Sequence, residues 1–466
     1  MRQGTSGMKA DEISELIAGA CPGVTEAGPA DAVAGVASAC VAFPATLEEA
    51  AAVMRAAAQA GLAVVPRGAG TRLSWDAPPR RCDLVVDMTR MDRVIEHAAG
   101  DLVVRVQAGV TMGRLAAALG AAGQRLSLDA PASSTAGGVI ATGTAGPLRL
   151  RYGTPRDLLI GITVIRADGR VARSGGKVVK NVAGYDIGKL FAGSAGTLGL
   201  IADATFRLHP VPPARAFVTC TCTGDGHAAP AGALAYVTRQ DARPGRAAGK
   251  VAQAVTEAAC SALVPSAVEI DQPVPGGPVR VGVLLEGTQR GVAERADRMA
   301  GVLGTVGGGA EVGEDPPEWW GKCGETTEVG DGTLVRVAFW AAALRQVLDA
   351  IEVAAAGAGV KPAVGGSAGA GVLYARLGGD AEPAAVARFV TALRGAMRSG
   401  PGGTPGTDTP GGAVTRGSAV VLAAPPAVRA AVDPWGPVPA IGLMRAVKDQ
   451  FDPEHRMAPG RFAGGI

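Results

Sequence analysis

Two hydrophobic periods alternate along the chain. Val41-Ala42-Phe43 is a short apolar run that predicts a strand. Thr46-Leu47-Glu48-Glu49 follows as a capping box, in which the threonine hydroxyl caps the amide three residues on and the glutamate reaches back. The Ala-rich stretch behind it predicts a helix to about Ala60, with Gly61 as its left-handed cap. Leu62-Ala63-Val64-Val65 predicts the next strand, so this βαβ unit ends in Pro66-Arg67-Gly68-Ala69-Gly70-Thr71. Further strands are expected near 84–87, 93–97 and 102–107, and a helix over 111–122 stopped by Gly123. The Gly-, Ser- and Thr-rich stretch from Asp129 to Pro147 reads as a loop. Leu158–Arg166 and Arg170–Arg173 read as a hairpin turned by Asp168-Gly169, Tyr185–Phe191 as a short helix, and Leu198–Leu208 as a strand.

Beyond Pro213 the pattern changes. Strand-like runs at 217–222, 267–270, 279–285, 333–339, 371–377 and 418–423 alternate with amphipathic helices at 289–303, 341–357 and 382–397. This predicts a second α+β domain. Residues 399–413 are low in complexity and read as a loop, and a last helix is expected at about 438–449. The resulting division is an N-terminal segment 1–35, a first domain 36–213, a second domain 214–430 and a C-terminal segment 431–466.

Composition narrows the classes. The 466 residues exceed one ordinary domain, and 69 Gly with 32 Pro suggest many loops and close backbone approaches. The net charge of +3 gives no nucleic-acid footprint. Arg149, Arg151 and Arg156 cluster, and a solvated loop is the favoured reading. The seven Cys contain no CxxC, so an iron–sulfur ligand set is not expected; Cys220 and Cys222 form only a CxC. Reduced cytoplasmic thiols are the default. Met1–Ala10 lacks the apolar core of a signal peptide, and Ala32–Thr46, the longest weakly apolar run, is too short to span a membrane.

The chemistry sits in two loops. Arg67-Gly68-Ala69-Gly70-Thr71 follows a strand, and its glycines let backbone amides approach an anion. No Gly-Lys-Ser/Thr follows, which excludes a Walker loop; Leu73 stands where a Rossmann fingerprint needs Gly or Ala. Pro78 and Pro79 oppose a long helix here, so loop amides rather than a helix dipole are expected to meet the anion. Alone, the loop is better read as a plain tight turn. Ser133-Ser134-Thr135-Ala136-Gly137-Gly138-Val139-Ile140-Ala141-Thr142 adds hydroxyl donors and a Gly-Gly pair, and the apolar Val139-Ile140 implies burial.

In this order the two loops resemble the flavin domain of the vanillyl-alcohol oxidase, or PCMH, type. The stretches 151–158, 176–186 and 193–199 extend the likeness, as do Phe451-Asp452-Pro453 and Pro459-Gly460-Arg461-Phe462. Within that type the chain is most similar to the FAD-binding E subunits of bacterial glycolate oxidases, notably in KVVKNVAGYD, in Asp433-Pro434-Trp435-Gly436 and in the ending GRFAGGI. The likeness is specific over about 40–213 and 431–466, and loose over 214–430. It implies an α+β fold in which two subdomains hold FAD, an α+β cap for substrate or interface, and a C-terminal segment returning to the FAD domain. It implies that Arg67, Gly68, Ala69, Gly70 and Thr71 cradle the pyrophosphate, with Ser74 beside them. Ser134, Thr135, Gly137, Gly138, Ala141 and Thr142 would line the ribityl and ring path, and Gly146 would permit the next close approach. Ile201 would lie near the adenine or the flavin edge. Lys180 and Asn181 would approach the ring, a cation there favouring the anionic reduced flavin, with a plain surface lysine as the alternative.

Departures from the family matter equally. The first loop has no His, so FAD should be non-covalent. His97, His209, His227 and His455 are scattered, and no metal is expected. Arg336, Tyr374 and Arg376 lie on predicted strands and suit either a 2-hydroxyacid or a structural role; Trp319-Trp320 suits a core better than a partner surface. The resemblance implies oxidation of glycolate or another small 2-hydroxyacid in a cytoplasmic multisubunit complex, docked at the inner face of the membrane through its partners. Those partners are a sister flavoprotein similar to D-2-hydroxyacid dehydrogenases and an iron–sulfur subunit. The alternatives are a self-sufficient FAD-dependent 2-hydroxyacid dehydrogenase and a non-catalytic scaffold.

Overall fold

Thr46 caps its helix as the capping box predicts: its hydroxyl accepts from the Glu49 amide at 3.1 Å. The Glu49 carboxylate reaches back one residue further than expected, to the Ala45 amide at 2.7 Å. The helix Leu47–Gln59 then links the strands Cys40–Ala42 and Val64–Arg67. Those strands are not neighbours, because Leu84–Asp87 lies between them and pairs in parallel with both. The computed structural model describes residues 8–177, 185–223, 246–327, 329–398 and 417–466. The chain divides into two units, one of Met1–Ala145, Gly153–Val211 and Pro437–Ile466, the other of Gly146–Tyr152 and Pro212–Gly436.

Among the described residues the first unit holds two larger sheets and a two-stranded pair of Gln124–Arg125 with His209–Pro210. The parallel sheet gains an antiparallel edge from Val24–Glu26, so the N-terminal segment contributes a strand as well as the helix Ala10–Ala18. Its core is built on Ile17, Met54, Leu62, Val64 and Leu84. The second sheet is antiparallel, in the order Val94–Ala98, Val103–Gln107, Leu200–Arg207, Leu159–Ile165, Val171–Gly175. Phe191 and Phe206 anchor its core at 0% and 1% exposure. Burying each stabilises the unit by roughly 1.5–3 kcal/mol. This is the two-subdomain α+β arrangement that the loops lead one to expect.

The expected loop at 129–147 contains a helix, Ala136–Thr142. Glycines at 137 and 138 argue against helix by propensity. Thr135 overrides them by capping, and Val139 and Ile140 bury the inner face. The predicted helix from Tyr185 shortens to Gly188–Phe191. The segment 178–184, with Lys180 and Asn181, lies outside the described residues, as does the low-complexity stretch 399–413.

The second unit is one antiparallel sheet of eight strands. Its order is Ala310–Gly313, Ala214–Cys222, Val279–Gly287, Ala267–Gln272, Ala363–Gly366, Val372–Leu377, Thr333–Phe339, Gly417–Ala423. The strand period of two separates its faces. Val218, Val281, Ile270, Val337 and Leu373 point to a core shared with the helices Arg246–Ala259, Gln289–Gly307, Leu344–Ala358 and Pro383–Arg398. The pattern reading missed the first of these helices and the strands Ala310–Gly313 and Ala363–Gly366. Alanine-rich or two-glycine segments carry too weak a period. On the other face, strand alternation places Glu269, Arg280, Glu286, Arg336, Tyr374 and Arg376.

Candidate functional site

In the first unit, the loop after Val64–Arg67 passes directly against the cap of the helix Ala136–Thr142. A Cβ at Gly68 would stand 2.0 Å from Thr135 Oγ1, so only glycine fits. Thr135 is held there because its hydroxyl accepts from the Gly138 amide at 3.3 Å and its backbone bridges to Thr111. The two glycine loops, distant in sequence, thus meet and line one cleft. Gly137 serves a different purpose from the ligand clearance expected of it. A Cβ there would lie 2.7 Å from Ala108 Cβ, and its amide donates to the Ala108 carbonyl at 2.8 Å. That glycine makes room for a strand end.

Arg67, Gly68, Ala69, Gly70 and Thr71 line the cleft, as do Ser134, Thr135, Gly137, Gly138, Ala141, Thr142 and Ile201. The Thr142 hydroxyl donates to the Gly138 carbonyl at 2.8 Å, a helix-internal bond. Ser74 is exposed and is not part of the lining. Gly146 belongs to the other unit. The pattern reading missed Ala195, Gly196 and Gly199, whose φ values of 52°, 74° and 156° make the third small-residue wall. The run GSAGTLG was the available signal. It also missed Met88 and Ala108, for which no local pattern exists, and Arg461, although Pro459-Gly460-Arg461-Phe462 was part of the resemblance.

Arg67 does not point a bare charge at the cleft. Its Nε donates to Asp87 at 2.6 Å and its Nη1 to Asp31 at 2.7 Å. The bond from Arg67, then the Gly28 amide, hold the Asp31 carboxyl below its ordinary value. The C-terminal tail completes the site. The Val64 amide donates to the Arg456 carbonyl and the Ala458 amide to the Val64 carbonyl, both at 2.8 Å, so the tail extends the parallel sheet. Beneath it, Lys448 is fully buried and donates to Asp452 at 2.6 Å and to the carbonyls of Thr197 and Met457 at 2.7 and 2.9 Å. Burial lowers the Lys448 pKa, and Asp452 opposes that shift. Arg461 then donates to the Leu73 carbonyl at 3.2 and 3.1 Å and to the Trp75 carbonyl at 2.8 Å.

A flat-ringed dinucleotide needs backbone that comes close and a cleft to receive it. The small-residue walls supply both. Residues 38–175 match the family model of an FAD binding domain. The chain carries a PCMH-type FAD-binding fold. Solved structures agree on the fold across nearly the whole chain. Against p-cresol methylhydroxylase the TM-score is 0.67, with 14% identity over 97% of this chain and 96% of that one. Against the 4-ethylphenol oxidase of Gulosibacter chungangensis it is 0.66, with 15% identity and 98% of each chain covered.

Sequence relatives match only part of the length. An uncharacterised FAD-linked oxidoreductase of Mycobacterium tuberculosis is 36% identical over 168 residues, 36% of this chain and 37% of its own. The glycolate oxidase subunit GlcD of Bacillus subtilis is 40% identical over 152 residues, 32% of each chain. The D-lactate dehydrogenase of Archaeoglobus fulgidus is 37% identical over 168 residues, 36% of this chain and 38% of its own. The chain therefore spans about a third of the length of these curated relatives. The cofactor of the FAD-binding domain is FAD. Neither His nor Cys is among the residues described as lining its cleft. Among the described residues, no helix is long and apolar enough to cross a membrane.

The second unit carries its own polar cluster, one that the sequence reading half anticipated. Arg149 was expected on a solvated loop; it sits instead on the one-turn helix Arg149–Tyr152, and its Nη2 donates to the Tyr374 hydroxyl at 2.9 Å. That hydroxyl donates to Glu325 at 3.2 Å, and Arg336 donates to the same Glu325 oxygen at 3.1 Å. Burial, followed by Glu325, pushes the Tyr374 pKa up. Arg376 shares the Tyr374 face, and its Nε and Nη2 are buried with no hydrogen-bond partner among the described residues. Trp320 packs edge-on against Phe217 at 5.1 Å, in a small apolar cluster on that same face.

Proposed function

We propose that this chain is the FAD-binding E-type subunit of a glycolate oxidase or dehydrogenase complex. It takes part in oxidising glycolate or another small 2-hydroxyacid to the 2-oxoacid, with the electrons passing to an iron–sulfur subunit. The observation that carries the flavin part is the meeting of two glycine walls in one cleft, with Gly68 against Thr135. The specific assignment is supported by KVVKNVAGYD and the ending GRFAGGI, and by the likeness to a glycolate oxidase subunit and a D-lactate dehydrogenase. FAD supplies a two-electron acceptor that can return electrons singly. The chain's residues hold it: Arg67 to Thr71 through backbone amides at the pyrophosphate, and Ser134, Thr135, Gly137, Gly138, Ala141 and Thr142 along the ribityl and ring path, with Ile201 at its edge. Lys180 and Asn181, outside the described residues, are assigned to the approach to the ring by the resemblance alone.

The test is to purify the chain alone and with its partner subunits, record the flavin spectrum, and add glycolate and then D-lactate without oxygen. Tight non-covalent FAD that bleaches only in the complex is expected. A colourless chain that takes up no FAD would falsify the reading.

A second reading is favoured by the Arg149–Tyr374–Glu325–Arg336 set with Arg376, which suits a carboxylate ligand. On that reading the chain is a self-sufficient 2-hydroxyacid dehydrogenase. Turnover by the isolated chain with a dye acceptor distinguishes the two.

A further inference from the structure

The hydroxyls of the FAD cleft are not alike. Thr135 accepts from the Gly138 amide at 3.3 Å, which leaves its own proton to give. Thr142 and Thr144 are wired the other way. Both line the cleft, and Thr144 is 2% exposed. The helix Ala136–Thr142 ends in a Schellman motif. Gly143 turns at φ 67°, its amide donates to the Ile140 carbonyl, and the Thr144 amide donates to the Val139 carbonyl, both at 3.1 Å. That turn returns Thr144 to Thr142, and their Oγ1 atoms lie 2.7 Å apart.

Proton counting fixes the orientation of the pair. A carbonyl oxygen carries no proton, so the 2.8 Å bond between Thr142 Oγ1 and the Gly138 carbonyl takes the Thr142 proton. The 2.7 Å contact between the hydroxyls then takes the Thr144 proton. Both protons are spent, and each hydroxyl is left with lone pairs alone. Such a pair repels a phosphate oxygen and receives an N–H. Its position agrees. The first glycine loop meets the start of the helix, where Gly68 faces Thr135, whereas the threonine pair closes the other end, on the order of 10 Å along the axis. The third small-residue wall is bonded to that same end: the Gly193 amide donates to the Ile140 carbonyl at 2.9 Å and the Ala195 amide to the Ala141 carbonyl at 2.8 Å. Small side chains and bare backbone leave room there for a flat ring.

We infer that the Thr142–Thr144 hydroxyl pair is the acceptor for the imide N3–H of the flavin ring. The inference rests on the flavin reading above, which assigns Thr142 to the ring path, and it adds Thr144 to the binding residues.

The experiment uses the full chain loaded with FAD isotopically labelled at its N3 nitrogen, and follows the N3–H proton by NMR. In wild type that proton is expected at lower field than in free FAD and in slow exchange with water. Thr142→Val combined with Thr144→Val keeps both shapes and removes every acceptor. It should return the signal toward that of free FAD and weaken FAD binding on the order of 10-fold, equally at low and high salt because no net charge is lost. Thr142→Ser with Thr144→Ser should restore both. The melting temperature of the flavin-free chain checks the folding of each variant, and the wild-type signal decides the matter even where a variant does not fold. A wild-type N3–H signal like that of free FAD overturns the inference, and so does a low-field signal that survives the double valine variant. A low-field shift at the adenine amino group instead of N3 turns the ligand around and overturns the assignment to the ring. A wild-type chain that binds no FAD would remove the flavin reading itself, a result distinct from all of these.

Discussion

A single missing methyl group decides the site at the residue scale. Gly68 faces Thr135 Oγ1 across a space where a Cβ would stand 2.0 Å away, and Gly137 faces Ala108 Cβ at 2.7 Å. The two glycines therefore fail differently. Gly68→Ala should push the two cleft walls apart and lower FAD occupancy with a modest loss of stability. Gly137→Val should destabilise the flavin-free chain itself, by about 1–3 kcal/mol or more, since backbone and a β-branched side chain contend for one place. Melting curves with and without FAD separate the cases: the Gly137 defect persists in the flavin-free chain, and the Gly68 defect is larger with FAD. Both glycines stood out in the sequence as a pattern. What each one cleared was not visible there, because Ala108 and Thr135 come near them only in three dimensions.

At the scale of elements, the C-terminal tail is the part whose role was least legible. Its strand-like extension of the parallel sheet depends on a fully buried ion pair, Lys448 with Asp452, whose donors reach Thr197 and Met457. Removing one member leaves a buried charge uncompensated, which typically costs about 3–5 kcal/mol. Lys448→Met should therefore unfold the tail early and shed FAD, and adding Asp452→Asn should restore part of the melting temperature. Equal melting of the single and double variants would show that the pair is not coupled. The helix Ala136–Thr142 teaches a related lesson. Glycine content read it as a loop, and one threonine cap with two buried aliphatic residues reversed that.

For the whole molecule, the question is which unit handles substrate. The FAD cleft belongs entirely to the first unit, while the second unit turns one sheet face to its helices and sets charged residues on the other. If the second face binds a carboxylate, Arg376→Met should raise KM for a 2-hydroxyacid on the order of 10- to 100-fold with FAD content unchanged. The measurement is steady-state turnover with a dye acceptor, alone and in the complex. An unaltered KM assigns Arg376 to the architecture of that sheet.

By itself the sequence determined the α+β class, the βαβ opening, most strands of both units and the two glycine loops, because local period, caps and glycine placement are written in consecutive residues. It did not determine that Arg67 is engaged by two carboxylates, that Arg149 meets Tyr374, or that Arg461 enters the FAD cleft. Those outcomes depend on groups brought together by chain closure over long separations, and charge and clearance are properties of such neighbours rather than of any stretch of chain.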